Sequence, residues 1–450
     1  MTSIEHRAFT GETLGRFVAE SSWEDIGPDL RHQAKRSLLN YVGGALGVTS
    51  SRVVDAAGRV VAPFSGPDRT TVIGRPERLD LMGASFVNAI AANLLDFDDT
   101  HPKTVAHFTS PVAPPLLALA EQRGLSGAQV LHAFILGFEV ESRLGNSVQP
   151  DHYNHGWHIT STCGVFGSAA GCAKLLGLSA EQTWTALGLA ASQSAGVIEN
   201  LTTEAKNVSV GNAARNGLLA ALLAREGFTA AAAAIEGPFG WARVMGQAPD
   251  LEEIVGGLGE RWELPKNTYK PYPVGIVFHA VIDAALELRR RLNLTAADVA
   301  SVVVRGDQLM LDRGERPVQN ERDARVSIHH SAALGLAVGK AGVREHTAPV
   351  VFDPEIVALR GKVRAELASD MAPWSASVTV QTVDGRTESV TVEHARGSAK
   401  VPMSDADLEA KFRDNAALGG SADKADARIA ALWAIEETAD LGPLLRSMGA

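Results

Sequence analysis

Residues 126–145 read Ser126-GAQVLHAFILGFEVESRL-Gly145, and this stretch decides the class of fold. Ser126 followed by Gln129 is a capping-box pattern, in which the two side chains bond each other's backbone N–H and begin a helix. Ser179 followed by Gln182 repeats the pattern before TWTALGLAASQSA. The apolar residues after each start favour long buried helices. We therefore predict helices throughout the chain from about residue 10 to about residue 265.

The residue pattern of the sequence changes after about residue 270. VASVVVRG (299–306) is short and β-branched, and SASVTVQTVDGRTESVTVEHA alternates Val with polar residues on both sides of Asp384-Gly385. This pattern predicts a hairpin with a type I′ turn. Ser404 then predicts the start of C-terminal helices. Because the first 265 residues offer no strands, a doubly wound sheet is rejected.

The predicted fold is mainly α with an α+β second domain. The expected organisation is a large all-helical domain, residues 1–268 and 402–450, and a smaller α+β lid domain, residues 269–401. Within the first domain, Pro114 and Pro115 are expected to open a helix that ends at Gly124.

Composition excludes several classes of protein. The 450 residues carry 42 Lys and Arg against 52 Asp and Glu, a net charge of −10, which argues against nucleic acid or an anionic membrane as main partner. The two cysteines cannot form a disulfide framework. The N-terminal residues lack the features of a signal peptide, and no apolar run reaches the ~18 residues of a membrane span. We expect a cytoplasmic protein.

Standard cofactor motifs do not occur in the sequence. It has no GxGxxG after a strand, no GxxxxGK[ST], no GxSxG and no HExxH. This argues against a nucleotide enzyme, a serine hydrolase and a zinc protease, and we expect no cofactor.

Two polar clusters follow apolar helical segments. The first, residues 93–112, contains Asp96, Asp98, Asp99, Thr100, His101 and His107. It is open to three interpretations: a solvated acidic loop, a Mg²⁺ or Mn²⁺ site, or a pocket in which Asp96 has a partner. The second, residues 152–167, has histidines at intervals of three, and we favour His158 as an acid or base beside an anion held at a helix N-terminus over a metal ligand.

Three further polar positions complete the candidate chemistry. Lys206 precedes a helix of small residues, Lys270 lies between aromatic and proline residues in NTYKPYP, and ARVSIHH ends in two histidines. Lysines and helix ends can bind carboxylates while a histidine moves a proton at the neighbouring carbon. These residues suit a small polycarboxylate substrate.

Four stretches together resemble the MmgE/PrpD family: LLDFDDTH, GWHITSTCGVFGSAAGCAKLLGLS, the block that begins TTEAKNVSVGN, and KPYP. The family's activities include 2-methylcitrate dehydratase, cis-aconitate decarboxylase and iminodisuccinate epimerase. The resemblance implies a large all-helical domain, a smaller α+β lid domain, a homodimer and no cofactor.

The resemblance also implies roles for individual residues. Four positions match catalytic groups of the family: Asp96, His107, His158 and Lys206. Three match substrate-binding positions, Thr100, His101 and Lys270, and His330 is a further candidate for substrate binding. The chain departs from the decarboxylase members where Gly275 replaces a histidine and His330 replaces a tyrosine, which argues against decarboxylation of cis-aconitate.

The leading hypothesis is a cofactor-independent lyase, of dehydratase type, that removes a proton alpha to a carboxylate of a small di- or tricarboxylate. Alternatives are an epimerase, isomerase or decarboxylase on the same scaffold, and a non-enzymatic helical binding protein. Since the chain carries a net charge of −10, an anionic substrate requires a local excess of positive charge at the site.

Overall fold

Contacts divide the protein into two units. The computed structural model describes residues 9–67 and 69–449. Unit 1 consists of the described residues of 9–94, 98–267 and 405–449, and unit 2 consists of residues 95–97 and 268–404. Three residues between two helices of unit 1 thus belong to unit 2.

Nearly all of the regular secondary structure of unit 1 up to residue 267 is helical. Its helices are α1 (Thr10–Glu20), α2 (Pro28–Leu46), α3 (Arg52–Val61), α4 (Leu81–Asn93), α5 (Thr109–Arg123), α6 (Gly127–Val148), α7 (Asp151–Asn154), α8 (Ile159–Leu175), α9 (Ala180–Ala191), α10 (Ala205–Arg225), α11 (Trp241–Met245) and α12 (Leu251–Val255). The strands are only two residues long: β1 (Thr70–Thr71), β2 (Arg78–Leu79) and β3 (Asp99–Thr100). Both predicted capping boxes, at Ser126 and Ser179, are present.

Small residues let the central helices of unit 1 approach closely. A Cβ added at Gly137 of α6 would lie 2.6 Å from the carbonyl oxygen of Gly167 in α8. A Cβ added at Gly217 of α10 would lie 2.4 Å from the Cβ of Ser168, also in α8. Real Cβ atoms do not come within 3.0 Å of a non-bonded atom, so glycine is required at both crossings. Helix α8 is therefore held between α6 and α10.

Unit 2 combines a four-stranded sheet with short helices. Its elements are β4 (Thr268–Tyr269), α13 (His279–Leu292), β5 (Val299–Gly306), α14 (Gln308–Gly314), α15 (Glu321–Ala324), α16 (Ile328–Ala337), α17 (Ala348–Val351), α18 (Pro354–Arg360), β6 (Val363–Leu367), β7 (Ala376–Thr382) and β8 (Thr387–Val392). The sheet order is β6-β5-β7-β8; β5 and β6 run parallel and the other pairs antiparallel. Valines of β5 and β7 pack with α13 and α16 in one core.

The chain returns to unit 1 through three helices. They are α19 (Asp405–Leu418), α20 (Ala425–Trp433) and α21 (Gly442–Ser447). Among the described residues, no helix combines the length and the apolar character that crossing a membrane requires. The predicted fold class, a helical domain with an α+β second domain, is confirmed.

Two local predictions were wrong. Helix α5 begins at Thr109, so Pro114 and Pro115 lie inside it. The backbone N–H of Thr109 donates to the Asp99 carboxylate at 3.3 Å, so a residue ten positions earlier caps the start of the helix.

The hairpin between β7 and β8 does not have a type I′ turn. The N–H of Thr382 donates to the carbonyl of Arg386 at 2.9 Å, so the loop between these two residues has three residues. Only one of the three, Gly385, has a positive φ, of 90°, whereas a type I′ turn needs two.

Candidate active site

His107 lies two residues before the start of helix α5, and a backbone carbonyl fixes the orientation of its ring. Its Nδ1 is 2.7 Å from the carbonyl oxygen of Asp99. A carbonyl can only accept, so Nδ1 carries the hydrogen and donates it. In the neutral ring the lone pair is then on Nε2, which is the atom that can accept a proton from a substrate.

The loop that carries His107 is held by two buried carboxylates. Asp98 accepts hydrogen bonds from Asn93 (2.6 Å) and Ser110 (2.7 Å), and its other oxygen is 3.4 Å from His107 Nδ1. Asp99 accepts from the Thr109 hydroxyl at 2.8 Å and from Asn267 at 2.7 Å. Burial, and then the charge of Asp98, raise the pKa of Asp99 to about 6. These contacts fix the position of His107 and also bring negative charge close to its ring.

His158 is the N-cap residue of α8, and its ring has the same tautomer as that of His107. Its Nδ1 is 2.9 Å from the hydroxyl oxygen of Ser209 and 3.2 Å from that of Ser161. The Ser209 hydroxyl donates to the carbonyl of Lys206 at 2.7 Å, and the Ser161 hydroxyl donates to the carbonyl of Ala195, also at 2.7 Å. Both hydroxyl oxygens therefore accept, and His158 Nδ1 donates. Its Nε2 holds the lone pair when the ring is neutral.

Lys206 lies in the first turn of α10 and is only 6% exposed. Ser209, one turn later, connects the backbone of Lys206 to the ring of His158. Asn207 connects the same turn to the end of α4, because its amide donates to Asn93 O at 3.0 Å. The backbone at Lys206 is thus linked to the helix start that carries His158.

Three helices of unit 1 begin at these residues. His107 precedes α5, His158 caps α8, and Lys206 is in the first turn of α10. The backbone N–H of His107 donates to Thr160 Oγ1 at 3.1 Å, which joins the starts of α5 and α8. Helix N-termini carry partial positive charge and attract anions. The hydrogen bond between His107 and Thr160 thus brings together two helix starts that each carry a histidine.

Thr100 and His101 are also buried in unit 1, with different surroundings. Thr100 Oγ1 lies 3.4 Å from His107 Nδ1. His101 is occupied at both ring nitrogens: Nδ1 is 3.0 Å from Thr104 Oγ1, and Nε2 is 3.2 Å from a carboxylate oxygen of Glu263, whose other oxygen bonds Lys266 at 2.8 Å. These contacts bind His101 to the protein interior, so the structure gives it a supporting position.

The remaining candidate residues belong to unit 2. Asp96 has a positive φ of 53°, and Lys270 Nζ bonds both its carboxylate, at 2.9 Å, and its carbonyl oxygen, at 3.1 Å. Lys270 is buried and Asp96 half-buried. The carboxylate holds the lysine in a fixed position and offsets its charge.

His330 is fully buried at the start of α16. Its Nδ1 is 3.5 Å from a guanidinium nitrogen of Arg360, which can only donate. Nδ1 is therefore the acceptor, and the neutral ring carries its hydrogen on Nε2. Burial is the largest cause that lowers the pKa of His330, to about 3, so the ring is neutral at pH 7.

Sequence reasoning missed the residues that fix the histidine tautomers. Ser209 and Ser161 select the tautomer of His158, and the carbonyl of Asp99 selects that of His107. Ser209 lies three residues after Lys206, where a serine hydroxyl commonly bonds the preceding turn. Its contact with His158, 51 residues away, leaves no local pattern.

Sequence comparisons identify relatives over nearly the whole chain. The MmgE/PrpD N-terminal domain matches residues 12–254, and the MmgE/PrpD C-terminal domain matches residues 272–437. Cis-aconitate decarboxylase of Homo sapiens is 30% identical over 430 residues, which cover 92% of this chain and 89% of that protein.

Two other relatives show the range of names in the group. Cis-aconitate decarboxylase of Mus musculus is 30% identical over 92% of this chain and 88% of its own. The mitochondrial 2-methylcitrate dehydratase of Yarrowia lipolytica is 24% identical over 73% of this chain and 67% of its own. With both domains matched and these identities, the chain belongs to the MmgE/PrpD family.

Proposed function

We propose that the protein is a cofactor-independent lyase that acts on a small di- or tricarboxylate. The observation that carries this proposal is the pair of histidines, His107 and His158, whose Nδ1 hydrogens are held by fixed acceptors at adjoining helix starts. Each ring presents Nε2 as a base, and Lys206 supplies a buried cation nearby in the fold. The relatives named cis-aconitate decarboxylase and 2-methylcitrate dehydratase agree with this assignment.

The proposed dehydration begins with proton removal by one histidine. Nε2 of His107 takes the proton from the carbon next to a substrate carboxylate, and the charge that develops on that carboxylate is stabilised by Lys206 and the helix N-termini. The hydroxyl on the adjacent carbon leaves as water with a proton from the protonated form of His158. A C=C bond forms, the proton taken by His107 is released to solvent, and His158 takes up a proton from solvent before the next turnover.

The other family positions are proposed as supporting groups. Lys270, with Asp96 beside it, is proposed to contribute to carboxylate binding, and Thr100 and His330 to substrate contacts. His101 is proposed only as a support for the loop, since Thr104 and Glu263 occupy its ring nitrogens.

A panel of substrates tests the proposal. Purified protein is incubated with 2-methylcitrate, citrate and related hydroxy acids, and formation of a C=C bond is followed by ultraviolet absorbance. We expect turnover of at least one compound, with a loss of ~10²-fold or more in kcat for His107→Gln and His158→Gln. His155→Gln, at an exposed histidine, is the matched control. No turnover across the panel would overturn the dehydratase assignment.

Decarboxylation of cis-aconitate is the second candidate, favoured by the 30% identity to the human cis-aconitate decarboxylase over 92% of this chain. It requires a group that delivers a proton to carbon when CO₂ leaves, and a protonated His107 or His158 would do this. Release of CO₂ from cis-aconitate without loss of water from the hydroxy acids would select it. Deuterium incorporation from D₂O, with neither elimination nor CO₂ release, would select an epimerase.

A further inference from the structure

Unit 2 contains a surface cleft away from the candidate catalytic residues along the chain. It lies between the end of α14 and the end of α18, and its walls include Glu315, Arg316, Pro317, Val318, His329 and Arg360. Two arginines and one carboxylate thus line the same cleft as apolar side chains.

The carboxylate in this cleft is engaged by a histidine. His329 Nδ1 donates to the carbonyl of Val363 at 2.9 Å, and its Nε2 is 3.0 Å from Glu315. The His329 ring therefore lies between two acceptors, and the Glu315 carboxylate interacts with this ring. Arg316 and Arg360 do not share this partner.

The two arginines lack carboxylate partners within residues 9–67 and 69–449. The guanidinium of Arg360 has only two weak contacts there, with Val351 O at 3.3 Å and His330 Nδ1 at 3.5 Å. No ion pair involves Arg316 in the same described part of the chain. Burial without a nearby carboxylate lowers the pKa of Arg360. Guanidinium groups bind carboxylates and phosphates in paired hydrogen bonds, so both side chains are suited to an anion.

We propose that the cleft is a second anion site, in which Arg316 and Arg360 hold a small carboxylate or phosphate anion. The apolar walls formed by Pro317, Val318 and Val357 can contact the carbon skeleton of an organic anion. The shared chemistry of the two ligand classes is a compact oxyanion with two or more acceptor oxygens.

Occupation of the cleft would also act on His330, and this step rests on the proposed function, in which His330 contacts substrate. Arg360 donates to His330 Nδ1 over a long 3.5 Å bond. A carboxylate or phosphate oxygen is a stronger acceptor than an imidazole nitrogen. A bound anion therefore draws the Arg360 donor away and removes the contact that selects the His330 tautomer.

Equilibrium dialysis with inorganic phosphate and with citrate tests the site. We expect phosphate, citrate or both to bind the wild-type chain, and Arg316→Met to weaken that binding ~10-fold or more. Arg364→Met, at an exposed arginine of β6 outside the cleft, should have no effect. Phosphate binding alone identifies a phosphate site, and citrate binding alone identifies a carboxylate site.

Lys206→Met separates this proposal from the proposed function. Citrate binding that disappears in Lys206→Met and is unchanged in Arg316→Met belongs to the catalytic residues, and would overturn the second site. Binding that survives Lys206→Met and is weakened by Arg316→Met supports it, whatever the outcome of the activity panel.

Nitrogen NMR of ¹⁵N-histidine tests the coupling. The His330 signal, assigned from its loss in His330→Gln, should shift when phosphate or citrate binds the wild-type chain and remain in place in Arg316→Met. A signal that stays in place while the anion binds would overturn the link through Arg360.

Discussion

Glu141 is a buried acid with no hydrogen-bond partner among the described residues. Neither carboxylate oxygen is bonded in the part of the chain that the structure describes, and the side chain lies against Gly164 and Gly167 of α8. Burial, and then the charge of Asp99, raise its pKa well above the ordinary 4.5. Burial therefore favours the neutral form of Glu141 in the folded protein.

This state predicts a pH-dependent effect of Glu141→Gln. Because the folded-state pKa is raised, the contribution of Glu141 to stability is complete below about pH 4.5 and is lost as the pH rises through the raised value. The variant should therefore gain stability relative to wild type with rising pH, by about 1 kcal/mol or more at pH 8. Thermal unfolding at pH 5 and pH 8 measures the difference. Glu20→Gln, at an exposed acid, should show no such trend, and an equal difference at both pH values would contradict the prediction.

Ser209 is predicted to position His158. Ser209→Ala removes the hydroxyl that accepts from His158 Nδ1 and leaves the helix intact. With a substrate identified, we expect kcat to fall ~10-fold with a shifted pH profile, a part of the 10²–10⁴ that an acid or base supplies. Ser209→Thr, which retains a hydroxyl, should restore most of the activity. A fall in KM alone, with kcat and the pH profile unchanged, would argue against this role.

Single residues were predictable from the sequence only where their chemistry is local. Histidines and lysines at helix starts could be identified from the residues around them and from the family pattern. Their tautomers could not, because they depend on acceptors such as Ser209 and the Asp99 carbonyl that reach the rings through the fold. The occupation of both His101 nitrogens by Thr104 and Glu263 was likewise invisible, since Glu263 is 162 residues away.

At the scale of elements, the crossing of α8 and α10 sets the relation between His158 and Lys206. Gly217→Ala would place a Cβ 2.5 Å from Val165 O and 2.4 Å from Ser168 Cβ. We expect a loss of about 2 kcal/mol or more in stability, because backbone atoms of α8 would have to move. Gly58→Ala in α3, with no atom within 4 Å of the added Cβ, is the matched control. It should stabilise by about 0.5–1 kcal/mol. Chemical denaturation distinguishes the two, and equal effects would contradict the close packing.

Element boundaries show where local sequence rules end. The capping boxes at Ser126 and Ser179 were predicted correctly because both partners lie within four residues. The start of α5 was misplaced because Asp99 caps it from outside the helix. The hairpin was located by Asp384-Gly385, but the turn type depends on the pairing of Thr382 with Arg386, which the dipeptide alone does not determine.

At the scale of the whole molecule, the net charge of −10 opposes the approach of an anionic substrate. The proposed function requires the local field of Lys206 and the helix starts to dominate at short range, within a Debye length of about 8 Å at physiological salt. We therefore predict that kcat/KM for a trianionic substrate falls as ionic strength rises from about 10 to 300 mM. A rise in kcat/KM with salt would show that the overall negative charge controls the rate at which substrate and protein meet.

The homodimer implied by the family stays a prediction. Light scattering of the protein as it elutes from a size-exclusion column measures its oligomeric state.

Residues 95–97 belong to unit 2 although the sequence places them between two helices of unit 1. Unit 2 therefore cannot be exchanged as one continuous stretch of the chain. If residues 268–404 were exchanged for those of a relative, Asp96 of the host would face a lysine from the other parent. A gene fragment cut at 268 and 404 would likewise separate Lys270 from the Asp96 carboxylate that it bonds. Chimeras in this family should be viable when the short segment at 95–97 is inherited from the same parent as the second unit.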